Sequence, residues 1–195
     1  MTPQFLAWRT ENATAGTVWW QPGSRLFTIA GPDAESITTA LFGGATKRIA
    51  VSPEISVPLI SAAMMMPFIA AMQINEFRFD GPRLGLSRSQ IRQATASANE
   101  ARRAIAAAHG RPRPSPLRAA AVSTVLRTVP VIASFDVPVF LRTHFGRHAE
   151  QTVRLLEDWI ELGRAQRQET PTLETLYGQL DRVVRATADG ADQPV

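Results

Sequence analysis

The stretch Ile55–Asn75, ISVPLISAAMMMPFIAAMQIN, contains no charged side chain and decides the fold. It is long enough to cross a membrane. However, Pro58 and Pro67 interrupt the stretch, and Gln73 lowers its hydrophobicity. Neither the belt of aromatic residues nor the cluster of lysines that typically flanks a membrane-spanning helix is found at its ends. We therefore expect a helix that is buried on all sides in a bundle and makes no membrane contact. The methionines Met64–Met66 would fill gaps in that core, as flexible thioethers do.

Helix signals dominate the chain after this stretch. A long helix is predicted over Ser87–His109, because Ser87 or Ser89 can cap it, small and apolar residues recur at three- and four-residue spacing, and Gly110 ends it. Further helices are predicted over Leu117–Thr128, Val129–Phe145 with breaks at Pro130 and Pro138, Arg147–Gln168, and Leu173–Arg185. We expect one helical domain over residues 52–188, followed by a flexible polar tail over residues 189–195.

The first 51 residues have a different character and predict a small α/β region. Short runs rich in aromatic and β-branched residues, separated by turn residues, predict two or three small antiparallel strands. They are Phe5–Arg9, Thr17–Trp20 and Leu26–Ile29. Asp33 is expected to cap a short helix over Ala34–Phe42 that Gly43 and Gly44 terminate, and Lys47–Val51 is a further candidate strand. The predicted fold class is therefore mainly α, a multi-helix bundle after a strand and helix region.

Composition excludes several classes of function. The chain has no cysteine, so disulfides, thiolate metal ligands and cysteine nucleophiles are absent. Residues 1–8 lack the charged start and apolar run of a signal peptide, so we expect a cytoplasmic protein. The net charge of +4 comes almost wholly from arginine. No aromatic residue is interleaved among these arginines, so we predict a solvated face and no nucleic-acid binding. They are Arg88, Arg92, Arg102, Arg103, Arg111, Arg113 and Arg118.

Motif searches find no cofactor or metal signature. A dinucleotide fingerprint needs glycines at a strand-to-helix turn, whereas Gly43-Gly44 follows a helix, so no cofactor is expected in the isolated chain. His144 and His148 have helical i, i+4 spacing, but the glutamate of a metalloprotease motif is missing after the first histidine. We interpret the pair as part of a polar face and expect no metal.

Several segments in order resemble the ketopantoate reductase (2-dehydropantoate 2-reductase) family. Gly16–Ile49 resembles the end of its nucleotide-binding domain, and Met64–Ala71 resembles the proline-containing first helix of its helical domain. Glu100–Gly110 resembles its alanine-rich helix ending in glycine, and His148–Pro171 resembles its closing helix. The resemblance implies a helical bundle like the C-terminal domain of 6-phosphogluconate dehydrogenase, after a small remnant of a Rossmann-type domain. It also implies NADP-dependent reduction of a 2-oxo acid in pantothenate biosynthesis.

The resemblance places the family's catalytic positions at residues that cannot do its chemistry. Registered on Pro67, the proton-donating lysine falls at Pro58 and the substrate-holding asparagine at Ala62. General-acid catalysis needs a titratable donor, and neither residue supplies one. We therefore expect no activity from the isolated chain, and a nucleotide-binding domain would have to act as a partner in trans.

The remaining candidate site residues would hold a small 2-oxo acid. Ser134 matches the second serine of the family's signature, Glu150 matches its substrate-anchoring glutamate, and Arg142 lies between them. Counting back from Pro171 points to Gln151 instead of Glu150. The alternative function is a non-catalytic helical module for small-molecule binding or dimerisation. With either function we expect a homodimer, because a helix this apolar and strands with unpaired edges leave surface that one chain can hardly cover.

Overall fold

The computed structural model describes residues 2–3, 6–9, 17–20, 27–43, 49–80, 83–133, 136–146 and 148–191. Seven helices lie in this part of the chain: α1 Ala34–Phe42, α2 Ser56–Ile74, α3 Arg88–Ala108, α4 Ala119–Ile132, α5 Val137–Phe145, α6 Ala149–Ala165 and α7 Pro171–Ala191. The strands there are β1 Thr2–Pro3, β2 Leu6–Arg9, β3 Thr17–Trp20, β4 Phe27–Ala30, β5 Ile49–Ser52, β6 Phe79–Asp80 and β7 Arg83–Leu84. The protein is therefore mainly helical, with small sheets.

The chain divides into two compact units, Met1–Leu59 and Ile60–Val195. The boundary predicted from the sequence lies after Val51. The helix α7 runs to Ala191, so it extends past Arg185 and into the segment expected to be a polar tail. Residues 192–195 lie outside the described part of the chain.

The first unit contains a parallel β-α-β crossover. Strand β4 pairs in parallel with β5, antiparallel with β1, and α1 connects and packs on the parallel pair. Parallel neighbours need such a crossover because a tight turn can join antiparallel strands only. The small core beneath α1 consists of Ile29, Ala34 and Ile49, with Val51 packed against it. β2 and β3 form a separate antiparallel pair, as the turn residues between them predict.

The ends of α1 confirm one sequence prediction and correct another. Gly43 ends the helix in the left-handed conformation, with φ of 71°, which glycine adopts without the strain that a Cβ would bring. Asp33 is the N-cap residue, but its side chain makes no capping hydrogen bond. Gly44 and residues 45–48, including Lys47, lie outside the described part.

The apolar helix α2 is half buried rather than buried on all sides. The residues from Phe68 to Gln73 are buried, whereas Met64 and Met65 are 46% and 49% exposed. The prediction that all three methionines fill the core is therefore wrong for these two. By length and composition α2 could cross a membrane, and half of its most apolar window is buried within the protein. Pro67 lies inside the helix and does not end it.

Helix α3 is the centre of the second unit, and small side chains let its neighbours approach closely. Ala94, Ala98, Ala101 and Ala104 are buried at three- and four-residue spacing, and α6 and α7 pack against this helix and against each other. The predicted cap is confirmed as a capping box, because Ser87 accepts a hydrogen bond from the Gln90 backbone and the Gln90 side chain accepts one from Ser87 N.

The carboxylate of Glu100 on α3 caps the start of α7 from outside that helix. Its Oε2 accepts a hydrogen bond from Leu173 N at 2.8 Å, in buried surroundings. A threonine at an N-cap ordinarily supplies this acceptor. Here Thr170 occupies the position before α7, but its buried Oγ1 has no hydrogen-bond partner among the described residues. The single buried carboxylate of α3 therefore fixes where α7 begins.

The proline-rich connector between α3 and α4 is held against α3 by one amide side chain. Asn99 Nδ2 donates to Leu117 O at 3.0 Å, and Asn99 Oδ1 accepts from Leu117 N at 2.8 Å. Arg102 adds a hydrogen bond to Ser115 O. Because partial burial desolvates the charged guanidinium, the pKa of Arg102 lies below the usual arginine value.

The expected helix breaks in the later part of the chain are placed differently by the structure. Helix α4 continues through Pro130 to Ile132, so the predicted break at Pro130 is wrong. Pro138 lies in the first turn of α5, where a missing N–H is harmless, and Asp136 caps that helix by accepting from Val139 N. The short β6–β7 pair was not predicted, because two-residue strands leave no periodic signal in the sequence.

Candidate functional site

The structure describes two of the three predicted substrate-binding residues, on either side of one turn. Arg142 lies on α5, and Glu150 lies in the first turn of α6. Ser134 lies outside the described residues. The chain between the two helices is short, since α5 ends at Phe145 and α6 begins at Ala149. The candidate site is therefore centred on the α5–α6 turn.

Arg142 is partly engaged in holding the fold. Its Nε donates to the backbone oxygen of Phe77, just after α2, at 3.2 Å. Its guanidinium carbon lies 4.9 Å from the ring centroid of Phe79, a cation–π contact. Within the described part of the chain, no acidic side chain pairs with Arg142. The terminal nitrogens of the guanidinium therefore remain suited to an added carboxylate.

Gln73 makes the reciprocal contact from α2 to α5, and the sequence analysis missed it. Its Nε2 donates to the backbone oxygen of Phe145 at 2.9 Å, and the same oxygen accepts a hydrogen bond from His148 N at 3.2 Å. Its buried Oε1 has no hydrogen-bond partner among the described residues. The sequence signal was a single amide in a run of apolar residues, which we had interpreted only as a diluting polar residue.

Glu150 is exposed, and no ion pair or hydrogen bond to its side chain is found in the described part of the chain. Its position in the first turn of α6 favours a carboxylate, because the backbone N–H groups there carry partial positive charge. This structural role and the anchoring of a ligand hydroxyl are compatible. The neighbouring Gln151 is also exposed.

Two imidazoles lie at the same turn. The ring centroids of His144 and His148 are 6.2 Å apart, and His144 stacks on Phe140 with its centroid 5.3 Å away. Partial burial of the His144 ring, with the nearby His148 as a second cause, lowers the pKa of His144. The neutral imidazole of His144 is therefore favoured at neutral pH. Among the described residues, no group of three or more histidine, aspartate or glutamate side chains could hold a metal ion.

Pro58 and Ala62 are the two positions at which the resemblance predicts a proton donor and a substrate-holding amide. Pro58 lies in the first turn of α2 and Ala62 one turn later, and both are partly buried. A proline ring and a methyl group can neither donate nor accept a proton. Pro58 and Ala62 therefore cannot protonate a carbonyl.

Three surface cavities formed by described residues lie elsewhere in the second unit. One of about 410 Å³ lies at the α6–α7 turn, one of about 290 Å³ between the first turns of α3 and α4, and one of about 500 Å³ beside Gln93 and Gln179. Neither Arg142 nor Glu150 lines any of these three. Comparison of the chain with protein-family models, with curated proteins and with solved structures finds no match.

Proposed function

We propose that this chain is the substrate-side and assembly half of a ketopantoate-reductase-like oxidoreductase, inactive by itself and completed in trans by a nucleotide-binding domain. The observation that carries the proposal is the order of elements. A parallel β4–α1–β5 crossover is followed directly by the long, proline-containing α2 and a helical unit. Parallel crossovers are the repeating unit of nucleotide-binding sheets. In this proposal the first unit is a remnant of such a sheet, and the second corresponds to the C-terminal helical domain of 6-phosphogluconate dehydrogenase.

Two side chains support binding of a small 2-oxo acid at the α5–α6 turn. Arg142 keeps its terminal guanidinium nitrogens for a carboxylate while its Nε is used by Phe77 O. Glu150 is exposed and would accept a hydrogen bond from a ligand hydroxyl. Reduction would require NADP held by the partner domain, because this chain has no glycine-rich strand-to-helix turn.

The test is calorimetric titration of the chain with ketopantoate and, separately, with NADPH. We expect weak ketopantoate binding, no NADPH binding and no cofactor-dependent turnover. Glu150→Gln should weaken ketopantoate binding by roughly tenfold, because a charge-assisted hydrogen bond contributes about 1.5 kcal/mol or more. The matched control is Glu161→Gln, which changes an equally exposed glutamate on the same helix. NADPH-dependent turnover by the isolated chain, or equal effects of both variants, would contradict the proposal.

A second candidate, a non-catalytic helical module for dimerisation or small-molecule binding, is favoured by α4. None of the side chains of α4 that the structure describes is buried, and Val125 is 57% exposed. A helix with so little burial in its own chain gains stability when another surface covers it. Absence of ketopantoate binding, together with self-association through α4, would favour this second candidate over the first.

A further inference from the structure

A small cavity lies between the first turns of α3 and α4. It is lined by Arg88, Ile91, Arg92, Ala119, Ala120 and Ser123, and its volume is about 290 Å³. Ligand pockets in proteins range from roughly 300 to 1,000 Å³, so this cavity suits a molecule at the small end of that range. The described residues that line it include two cations and no carboxylate. Both arginines are exposed, as the predicted solvated face requires.

The two arginines repel each other and lack acidic partners. Arg88 and Arg92 are one helical turn apart on α3, a spacing at which like charges destabilise a helix. No ion pair or hydrogen bond of either guanidinium is found in the described part of the chain. Between Asp80 and Asp136 the sequence contains nine arginines and one carboxylate, that of Glu100. The buried carboxylate of Glu100 accepts a hydrogen bond from Leu173 N, so it does not neutralise the charges of Arg88 and Arg92.

The helix ends add positive potential to the same place. Arg88 is the first residue of α3, and Ala119 is the first residue of α4. The α4 start has no side-chain cap and no acidic residue in its first turn. Cations are unfavourable at the N-terminal end of a helix, where the backbone N–H groups already carry partial positive charge. Two helix ends and two guanidinium groups therefore border one cavity, and none of its described lining residues is acidic.

We infer that this cavity binds a small phosphate-bearing molecule. The paired guanidinium groups would hold the phosphate oxygens in bidentate fashion, and Ser123 would donate a further hydrogen bond. Ile91 and the methyl groups of Ala119 and Ala120 leave an apolar wall for a short organic group. The inference is independent of the proposed function, since its residues are distinct from Ser134, Arg142 and Glu150.

The experiment uses inorganic phosphate as the probe, titrated at constant ionic strength and followed by backbone NMR shifts and calorimetry. We expect saturable shifts at Ala119, Ala120 and Ser123. Arg92→Gln should weaken phosphate binding by about tenfold. The matched control is Arg127→Gln, which removes one exposed positive charge from α4 outside the cavity lining and should leave phosphate affinity unchanged.

Melting curves accompany the titration, so that a folding defect is recognised. If Arg92→Gln melts at a lower temperature, Ser123→Ala replaces it as the test and should also weaken phosphate binding. Equal weakening by Arg92→Gln and Arg127→Gln would overturn the inference, because it would show general charge attraction only. Tighter binding of a single-stranded oligonucleotide, with shifts spread over many arginines, would also overturn it in favour of a nucleic-acid surface.

Discussion

Gly163 lies where α6 packs closely against the α6–α7 connection. A Cβ at this position would lie 2.8 Å from Thr170 Cγ2 and 3.1 Å from Gln168 O, so glycine alone lets the α6–α7 connection fold back onto α6. Overpacking of this kind typically destabilises by roughly 1–3 kcal/mol. We predict that Gly163→Ala lowers the free energy of unfolding by about that amount, measured by urea denaturation.

Gly178 offers a matched control for this substitution. It also lies inside a helix, α7, but a Cβ there would meet no atom within 4 Å. Alanine in a helix interior is favoured over glycine by roughly 0.5–1 kcal/mol. Gly178→Ala should therefore stabilise the protein. Opposite signs for the two variants would support the packing at Gly163, whereas stabilisation by both would contradict it.

His144 makes the stability of the protein depend on pH. Burial of its ring and the nearby His148 hold the pKa of His144 below its ordinary value of 6.5. As the pH falls, His144 of the unfolded chain therefore binds a proton before His144 of the folded chain does. Well above pH 6.5 the His144 imidazole is neutral in both states. We predict that stability decreases as pH is lowered through 6.5 towards the folded-state pKa. The measurement is the melting temperature between about pH 7.5 and pH 5.5.

A His144→Gln variant should have a flatter pH dependence over this range, because the depressed titration is removed. His109→Gln is the control, since it removes an exposed imidazole from the end of α3. The comparison concerns the slopes with pH, because His144→Gln also loses the stacking on Phe140. A wild-type slope retained in His144→Gln would assign the pH dependence to other groups.

At the scale of the helix, α2 presents two faces with different tolerance to charge. Phe68 is buried, whereas Met65, less than one turn away, is half exposed. An unpaired carboxylate in the core has an effective desolvation cost of several kcal/mol. We predict that Phe68→Asp prevents folding to a soluble product, whereas Met65→Asp retains a cooperative melting transition. Loss of folding in both variants would indicate that the Met65 face is also covered.

Helix α4 illustrates how polar residues can line an apolar helix face. Thr124 Oγ1 donates to Ala120 O at 3.1 Å, and Thr128 Oγ1 donates to Thr124 O at 2.9 Å. These hydroxyl groups are satisfied by their own helix, so they do not require water. Val125 and Val129 on the same helix are exposed and apolar. Covering this part of α4 with another protein surface would therefore leave neither threonine hydroxyl group without a hydrogen bond.

For the molecule as a whole we predict a homodimer. Met64, Met65 and Val125 are large apolar side chains with about half or more of their area exposed, and covering such area is favourable by roughly 25 cal/mol per Å². Light scattering at micromolar concentration should give twice the mass of the chain. Val125→Asp should shift the protein towards monomer, whereas Ala165→Asp, at an exposed position on α6, should not. A wild-type monomer at that concentration would contradict the prediction.

Local signals in the sequence sufficed for most of the helices and for some of their ends. The α1 helix and its terminal Gly43, the capping box at Ser87 and the long apolar α2 all depend on residues within a few positions of each other. Side-chain periodicity and capping act over one or two turns, so such features can be read without knowledge of the fold. The parallel pairing of β4 with β5 was not foreseen, because register depends on partners outside each strand.

Tertiary structure decided which surfaces are buried and what the candidate site residues contact. Gln73 bonds Phe145 O across 72 positions, Arg142 bonds Phe77 O across 65, and Glu100 caps Leu173 across 73. No local pattern encodes such pairs, because each polar group takes whichever partner the packing of distant helices brings within reach. The same packing leaves Met65 exposed although its neighbours in the sequence are equally apolar. Burial is a property of the assembled helices, whereas hydrophobicity belongs to the residue.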